Sequence, residues 1–361
     1  MKKNSKVEDV TKLSKPWVNN DNNIWIASTL KLYRNIAKFK FPAKLDSQGR
    51  VQSINIIKRA LEKVSSLKDL TLIKAKDSNP HQKEFIYEHF LSKENYLHAH
   101  SGEAFILDDT GEVLLTINIR DHIHLQLTDC SNDLEETWNR LIKMEVDLGE
   151  SIEYAFNSKF GFLSSDPEHC GTGLLAQIYM HVPALILTSQ IDEILEKQNK
   201  KNVKISGLQS DETSLIGDIV SLHNEQTLGL TTDDIISTMH SAATSFLIAE
   251  KSCRTKIKNE NSPEYRDKVS RAFGLLLHSY RLETQEALEA LSLCKLGIDL
   301  EWIKSIDHKD INNLFFSCRR AHLQGLFEEE VSKDQLPEKR SELVKSILKK
   351  AKLVAISTKG R

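Results

Sequence analysis

One short stretch of the chain groups residue types that can do chemistry. Asp166, His169 and Cys170 lie within five residues, directly before Gly171-Thr172-Gly173. A carboxylate, an imidazole and a thiol can ligate a metal or form a Cys–His nucleophile pair, and a Gly-x-Gly turn can approach a phosphate. No second ligand group has matching spacing, and no phosphate-loop lysine accompanies the glycines. We therefore expect a tight turn here and no metal site.

A second polar group precedes this stretch. Three apolar residues alternate with three polar ones, the first set being Ile123, Leu125 and Leu127 and the second His122, His124 and Gln126. A period of two is typical of a strand whose two faces differ. The pattern predicts a half-buried strand whose histidines face solvent or a cleft, and a solvated face is a simpler interpretation than a ligand pair.

The elements around these residues indicate an α+β fold. Phe105–Leu107 and Val113–Ile119 flank Asp108–Gly111, which predicts a hairpin. A helix begins at Asn132 or Asp133, where either side chain can cap it. Strands separated by helices, together with hairpin signals, favour an α+β sheet with helices on one face.

The chain divides into three predicted parts. Residues 1–23 are polar and are expected to be poorly ordered. Residues 24–252 form the sheet-containing domain, and residues 253–361 form an all-α C-terminal domain. Asn261-Ser262-Pro263 is a plausible linker near the boundary.

Composition excludes several classes of protein. The 361 residues carry 49 Lys+Arg and 51 Asp+Glu, a net charge of −2, which is not typical of a nucleic-acid-binding protein. No apolar run approaches the ~20 residues that a bilayer crossing needs, and no signal-peptide core follows Met1. Five widely separated cysteines predict reduced thiols in the cytoplasm rather than a disulfide framework. The termini are basic, and we expect them to be solvated rather than to bind an acidic partner.

Several segments spread over nearly the whole chain carry recognisable motifs. They are Ala27-Ser28-Thr29-Leu30-Lys31-Leu32-Tyr33-Arg34-Asn35, Asn118-Ile119-Arg120-Asp121-His122-Ile123-His124-Leu125-Gln126, residues 163–176 with 181–185, Gly207-Leu208-Gln209-Ser210-Asp211, and three helical segments within 270–300. In this order they resemble the ATP:guanido phosphotransferases, and specifically the bacterial protein-arginine kinases. The resemblance implies the guanido kinase fold, an antiparallel sheet flanked by helices, followed by a helical C-terminal domain.

The resemblance also implies where a nucleotide would bind. Ser28, Thr29, Lys31, His124, Leu175, Ala176 and Ser206 are the vestigial ATP-site positions. At five of these the family has phosphate-binding arginines, and here the residues are Thr29, Lys31, His124, Leu175 and Ser206. The arginines are therefore replaced, once by a lysine that lacks the bidentate fork.

The two catalytic glutamates implied by the resemblance are also changed. Arg120 replaces the first, which reverses the charge that would hold a guanidinium, and Asp211 is the surviving, shortened carboxylate. Asp166 stands where the family has a cysteine. We expect Asp166 to repel a triphosphate and Arg120 to repel a guanidinium.

These replacements predict a pseudoenzyme that has lost ATP-dependent phosphoryl transfer and acts as a binding or regulatory protein. No cofactor is predicted. The alternative is an active protein-arginine kinase with a rewired site, which would use ATP and Mg and would draw its phosphate cations from Lys31, His124, Arg34 and Lys204. A kinase for free amino acids is the least favoured possibility, since the chain resembles the bacterial branch.

The resemblance finally implies partners. This branch has a phosphoarginine-binding RDxxRA motif near its C-terminus, and the best-matching stretch here, residues 336–341, keeps one of its residues, Arg340. Recognition of phosphoarginine is therefore not expected. Protein partners and a homodimer through the helical domain are expected, in the cytoplasm, and the family's activator and Clp unfoldase are possible companions.

Overall fold

A computed structural model describes residues 9–20, 22–64, 67, 70–92, 94, 96–199, 202–208 and 215–354 of the chain. The strands within these ranges are β1 (Trp25–Arg34), β2 (Thr71–Lys74), β3 (Ala104–Leu107), β4 (Val113–Ile117), β5 (Ile123–Asp129), β6 (Phe156–Asn157), β7 (Gly161–Phe162), β8 (Leu174–His181), β9 (Val203–Gly207), β10 (Ile219–Asn224), β11 (Ile303–Lys304) and β12 (Lys352–Leu353). One antiparallel sheet has the order β2-β3-β4-β5-β1-β8-β10-β9, and β6-β7 and β11-β12 form separate pairs.

Helices flank this sheet and make up most of the C-terminal region. In the same described ranges they are α1 (Ser47–Leu61), α2 (Pro80–His89), α3 (Leu134–Gly149), α4 (Pro183–Leu187), α5 (Ile191–Asn199), α6 (Thr232–Glu260), α7 (Pro263–His278), α8 (Thr284–Asp299), α9 (His308–Ser317), α10 (Arg320–Gln324) and α11 (Leu336–Leu348). Asp133 caps α3 by accepting a hydrogen bond from the Glu136 backbone at 2.9 Å. The predicted α+β class, with a helical C-terminal part, is confirmed. None of the helices described is long and apolar enough to cross a membrane.

Strand β1 occupies the centre of the sheet, and its alternation gives the two faces different characters. All ten of its residues are buried. Leu30 and Leu32 join the apolar core, in which α3 and α6 pack against the sheet. Thr29, Lys31 and Tyr33 alternate with them and therefore point to the opposite face. A mostly apolar strand thus places three polar side chains beneath a cleft.

Helix α6 connects the sheet to the C-terminal helices. It runs unbroken across residues 252 and 253, where the predicted boundary lies, and ends at Asn261, whose φ of 45° is left-handed. Arg254 bonds to Glu250 at 2.7 Å and pairs with Asp299 of α8, while Glu250 accepts the Leu185 backbone N–H at the start of α4. Burial raises the pKa of Glu250, and the Arg254 charge opposes that rise. The two predicted domains therefore share one buried polar network.

The prediction that residues 1–23 are poorly ordered is wrong for residues 9–20. Trp17 is 1% exposed and stacks on Phe316 with the ring centroids 3.9 Å apart. The Asn20 amide donates to the Ile26 carbonyl at 2.7 Å, and Asn312 donates to the Asn20 carbonyl at 2.9 Å. One buried indole and two amides thus fix a segment that is otherwise polar. Residues 1–8 and 21 lie outside the described ranges.

A buried histidine beside Trp17 makes the fold sensitive to acid. His322 is 1% exposed, its ring lies 4.4 Å from that of Phe85 and 5.6 Å from that of His89, and neither of its ring nitrogens has a hydrogen-bond partner in the described structure. Burial lowers the pKa of His322 well below its ordinary value, and it lowers the pKa of His89 to about 3. In the unfolded chain these two histidines bind protons below about pH 6.5, whereas in the folded chain they stay neutral. The free energy of unfolding is therefore unaffected by them above that pH and decreases as the pH falls below it.

We predict that His322→Leu flattens this acid dependence, because leucine fills the apolar site without a titrating group. Between pH 6.5 and 5, the free energy of unfolding of the unmodified chain should fall by about 1.5 kcal/mol more than that of the variant. Urea denaturation at both pH values measures the difference. Parallel losses in the two proteins would contradict the prediction, and His322→Phe serves as a second apolar variant.

Candidate functional site

The register of the central strands brings predicted site positions together on one face of the sheet. Lys31 lies opposite Leu175 of β8, and Tyr33 lies opposite His124 of β5. Residues that are paired across antiparallel strands share a face, and alternation along β1 adds Thr29 to that face. Four of the five positions at which the resemblance implies arginines are therefore neighbours in space.

Ser206 joins this face, while two other predicted positions do not. Ser206 is buried on β9, two residues from Lys204, which lines the cleft. Ser28 accepts a hydrogen bond from the Trp25 indole at 2.8 Å, and Ala176 belongs to the apolar core. Strand alternation turns both side chains away from Lys31, and their assignment as ATP-site positions stays a prediction. Asp211 lies outside the described residues, and its role stays a prediction.

A cleft of about 510 Å³ opens over this face. This volume is in the range of small-molecule sites. Its described lining includes three cationic side chains, Lys31, Arg120 and Lys204, and four carboxylates, Glu94, Glu103, Glu168 and Glu225. The cleft is therefore large enough for a ligand, and it is not basic.

The chain that follows α2 forms the floor of the cleft beside Lys31. The carbonyl oxygens of Phe90 and Leu91 accept hydrogen bonds from Gln126 at 2.5 Å and from the Tyr179 hydroxyl at 2.7 Å. These two hydrogen bonds hold the segment after α2 across the sheet, and Glu94, further along that segment, lines the cleft.

The prediction that β5 is half-buried is wrong, because every residue of β5 is buried on both faces.

Lys31 and Glu94 are opposite charges buried at this floor. Lys31 is 1% exposed, and its ammonium donates to the Gln177 side-chain oxygen at 3.4 Å. Burial lowers the pKa of Lys31 to about 8, and the charge of Glu94 opposes that shift. Burial raises the pKa of Glu94, with Lys31 again opposing. Each group therefore stabilises the charged form of the other, and the anion beside Lys31 comes from the chain itself.

Three aromatic rings form a stack beside these charges. Tyr33 lies between His124 and His169, with ring centroids 4.7 Å and 4.4 Å away and planes within 8° and 4° of parallel. Its hydroxyl donates to Glu94 at 3.4 Å. Burial lowers the pKa of His124 well below its ordinary value, and the Lys31 charge lowers it further. His124 is therefore a neutral imidazole and cannot replace an arginine as a cation.

Arg120 and Asp166 form an ion pair at the rim, 2.8 Å apart. The two unlike charges offset each other in this contact, and the expectation that each repels a ligand stays a prediction. Their side chains are 49% and 26% exposed, so the pair contributes at most about 1 kcal/mol to stability. Lys204 is similarly paired with Glu225 at 3.3 Å.

The motif residues that match the family are bonded within the scaffold. Asn35 donates to Asp121 at 2.5 Å and accepts the His122 backbone N–H at 3.0 Å. Asp121 also accepts the Ser164 hydroxyl and the Ser165 backbone N–H, at 2.9 and 2.6 Å. This network joins β1, β5 and the loop after β7. Asn35 and Asp121 therefore hold the frame of the site, whereas Lys31, Arg120 and Leu175 line the cleft.

Arg34 is the clearest example of a scaffold residue. Its guanidinium is 2.6 Å from Glu145, bonds to the carbonyl oxygens of Tyr33 and Thr172 at 2.9 and 3.0 Å, and lies 3.6 Å from the centroid of the Phe162 ring. Burial lowers the pKa of Arg34, and Glu145 opposes that change. Arg34 is thus fully engaged on the side away from Lys31.

The residues that suggested metal or nucleophile chemistry have separate structural contacts. Asp166 caps the short helical turn Pro167–His169 and pairs with Arg120, His169 stacks on Tyr33, and Cys170 lies 4.0 Å from the Ser164 carbonyl. Among the residues described, no group of three or more His, Cys, Asp and Glu side chains could hold a metal ion. Gly171 has a φ of 103°, and a methyl group in place of its hydrogen would lie 2.4 Å from the Thr227 carbonyl oxygen. This stretch is therefore a tight turn that requires glycine.

The residues present do not fit the triphosphate of a nucleotide. Lys31 faces Glu94, Arg120 pairs with Asp166, Lys204 pairs with Glu225, and Arg34 is bonded elsewhere. A phosphate approaching this floor would meet a carboxylate beside each cation. Sequence reasoning missed Glu94, Tyr33 and Glu225. For Glu94 and Glu225, the signal was that the buried or cleft-lining lysines Lys31 and Lys204 need a carboxylate nearby.

Comparison with known proteins identifies related sequences over most of the chain. A model of the ATP:guanido phosphotransferase C-terminal catalytic domain matches residues 52–253, and a model of the protein-arginine kinase McsB C-terminal domain matches residues 263–359. The chain is 33% identical over 329 residues to a protein-arginine kinase of Chlamydia pneumoniae, covering 91% of both chains. It is 31% identical over 328 residues to a protein-arginine kinase of Halothermothrix orenii, covering 91% of this chain and 94% of that one.

Solved structures share the fold. The duplicated taurocyamine kinase of Schistosoma mansoni, with bound transition state analog components, superposes with a TM-score of 0.57 at 24% identity. The match covers 76% of this chain and 41% of that duplicated chain, less than half of it. A lombricine kinase superposes with a TM-score of 0.56 at 17% identity, over 70% of this chain and 72% of the other.

We predict that the scaffold arginine matters more for stability than the arginine at the cleft rim. Arg34→Met should lower the free energy of unfolding by about 3–5 kcal/mol, because it leaves Glu145 buried without its partner. Arg120→Met should lower it by less than about 1 kcal/mol, because that pair is half exposed. Urea denaturation of both variants tests this, and Arg34→Met/Glu145→Met should recover part of the loss. Equal small losses for the two single variants would contradict the assignment.

Proposed function

The chain belongs to the ATP:guanido phosphotransferases, in the protein-arginine kinase branch, and from that premise we propose that it has lost ATP-dependent phosphoryl transfer and acts as a binding or regulatory protein. The observation that carries the proposal is charge compensation in the cleft. Arg120 and Lys204, in the described lining, are ion-paired with carboxylates of the same chain at 2.8 and 3.3 Å, and the charge of Glu94 opposes the effect of burial on Lys31.

Phosphoryl transfer makes this loss severe. The protein contributes positioning and fixed positive charge, and a single transition-state arginine contributes ~10³–10⁵ in rate. Of the five arginines that the resemblance implies, none is present, and the one lysine, Lys31, faces Glu94. Charge-assisted hydrogen bonds contribute about 1.5–3 kcal/mol each, so the loss of several removes both nucleotide affinity and rate. The proposal therefore includes no nucleotide cofactor.

The alternative, an active protein-arginine kinase with a rewired site, would use ATP and Mg with Lys31, His124, Arg34 and Lys204 as its cations. His124 is neutral, Arg34 is bonded to Glu145, and Lys204 is paired with Glu225. Lys31 alone would remain, beside a carboxylate. These contacts make the first proposal the stronger one.

Loss of phosphoarginine recognition forms part of the same proposal. Arg340 is 2% exposed, and its guanidinium donates to the carbonyl oxygens of Cys318 at 2.7 Å and Leu282 at 2.6 Å. A guanidinium bonded in this way braces α11 against its neighbours and is not free to hold a phosphate. The Arg340 contacts therefore support a structural role.

Family membership supports proposals about partners and location. We propose a cytoplasmic protein with protein partners, a homodimer through the helical domain, and a companion related to the family's activator or Clp unfoldase. Nucleic acid is not a proposed partner, because the net charge is −2.

We predict that the purified chain transfers no phosphate. Incubated with γ-labelled ATP, Mg²⁺ and an arginine-rich protein, it should label neither itself nor the substrate, because the cations needed in the transition state are absent. The Chlamydia pneumoniae protein-arginine kinase, assayed in parallel, controls for the conditions. Acid-labile transfer that Asp211→Ala abolishes would contradict the proposal and favour the active alternative.

A further inference from the structure

The floor of the cleft holds two opposite charges whose hydrogen-bonding capacity is only partly used. The Lys31 ammonium has three donors and, among the described residues, one bond, the 3.4 Å contact with Gln177. Glu94 receives the Tyr33 hydroxyl on one oxygen at 3.4 Å, and its Oε2 has no hydrogen-bond partner within the described structure. Both side chains line the cleft. Each group therefore has room for a partner that approaches from the cleft.

Lys31 and Glu94 act on each other without making direct contact. Each one's charge opposes the effect of burial on the other, yet the described ion pairs include none between them. A buried charge without a close partner is unfavourable. A ligand that brings a cation to Glu94 and an anion to Lys31 would remove both deficits at once.

A buried imidazole lies next to Glu94, outside the described lining of the cleft. His124 Nδ1 lies 3.7 Å from Glu94 Oε2, and neither ring nitrogen of His124 has a hydrogen-bond partner among the residues described. Burial lowers the pKa of His124 well below its ordinary value, so this ring brings no positive charge to Glu94. A cation that pairs with Glu94 must therefore come from the cleft.

We propose that this cleft binds a small zwitterion, with its ammonium held by Glu94 and its carboxylate held by Lys31. An α-amino acid is the simplest such molecule, because its two charges lie a few bonds apart. The four charges then alternate in sign around the contact. The inference rests on the proposed function, since a triphosphate would need the same floor.

The chemistry of the floor favours a zwitterion over a simple anion or cation. An anion would be attracted by Lys31 and repelled by Glu94. A cation would be attracted by Glu94 and repelled by Lys31. A guanidinium is not required, because Glu94 needs a single donor. The cleft, at about 510 Å³, has room for the ligand's side chain toward the apolar Ile119 and Leu175.

The test compares L-alanine with the two molecules that each lack one of its charges, ethylamine and propionate. Isothermal titration calorimetry with the full chain at pH 7 measures the three affinities. L-Alanine should bind at least tenfold more tightly than either analogue. Equal affinities, no binding of L-alanine, or binding that requires a guanidinium, as with L-arginine alone, would overturn the proposal.

Variants assign the charges to each end of the ligand. Lys31→Met should weaken L-alanine binding at least tenfold and make its affinity equal to that of ethylamine. Glu94→Gln should make the affinity for L-alanine equal to that for propionate. Lys38→Met, at a lysine 84% exposed outside the cleft, is the matched control and should change affinity less than twofold. The double variant Lys31→Met/Glu94→Gln leaves no buried charge unpaired and should bind all three molecules equally weakly, so the proposal stays testable if a single variant fails to fold.

A parallel titration with Mg·ATP separates the two proposals. If neither ATP nor L-alanine binds, the zwitterion proposal is wrong and the proposed loss of kinase function stands. If ATP binds and L-alanine does not, both are wrong. An advantage for L-alanine that survives in the double variant would place binding elsewhere and would also contradict the inference.

Discussion

A buried cation requires an anion, and in this cleft the anion is part of the chain. Lys31 lies at the floor of the cleft with Glu94 beside it, and burial acts against the charge of both. An isolated charge in such a place would be costly, whereas two opposite ones offset each other. In a kinase with its arginines in place, that anion would be the nucleotide's phosphates. The internal carboxylate places a negative charge at this floor without a nucleotide.

The same constraint explains which residues match the family and which do not. Arg34, Asn35 and Asp121 are bonded to backbone and side-chain groups of the sheet, so the fold depends on them. At the rim, Arg120 and Asp166, which the resemblance implies are both replaced, pair with each other. Arg34, Asn35 and Asp121 thus stabilise the frame, and Arg120 and Asp166 offset each other's charge. This division is what we expect of a protein that keeps its shape and surface without its chemistry.

The sequence predicts the fold class and the family well, because strand alternation and motif order are local signals. It fails where distant segments meet. The half-buried β5 is buried on both faces, since the chain after α2 crosses it. Arg120 and Asp166 read as two separate repulsions because 46 residues separate them, and only the fold brings them to 2.8 Å. Glu94 carries no motif and is found only through Lys31. Asp211 stays a prediction, outside the described residues.

The most direct test of the central claim is the affinity of the purified chain for Mg·ATP, measured by isothermal titration calorimetry and checked by thermal unfolding at 10 mM nucleotide. A ligand with a Kd of about 100 µM would stabilise the chain by about 2.7 kcal/mol at that concentration. We expect no heat of binding and no shift in Tm. A saturable Mg·ATP isotherm, weakened by Lys31→Met, would show that the floor of the cleft still holds phosphate and would contradict the account.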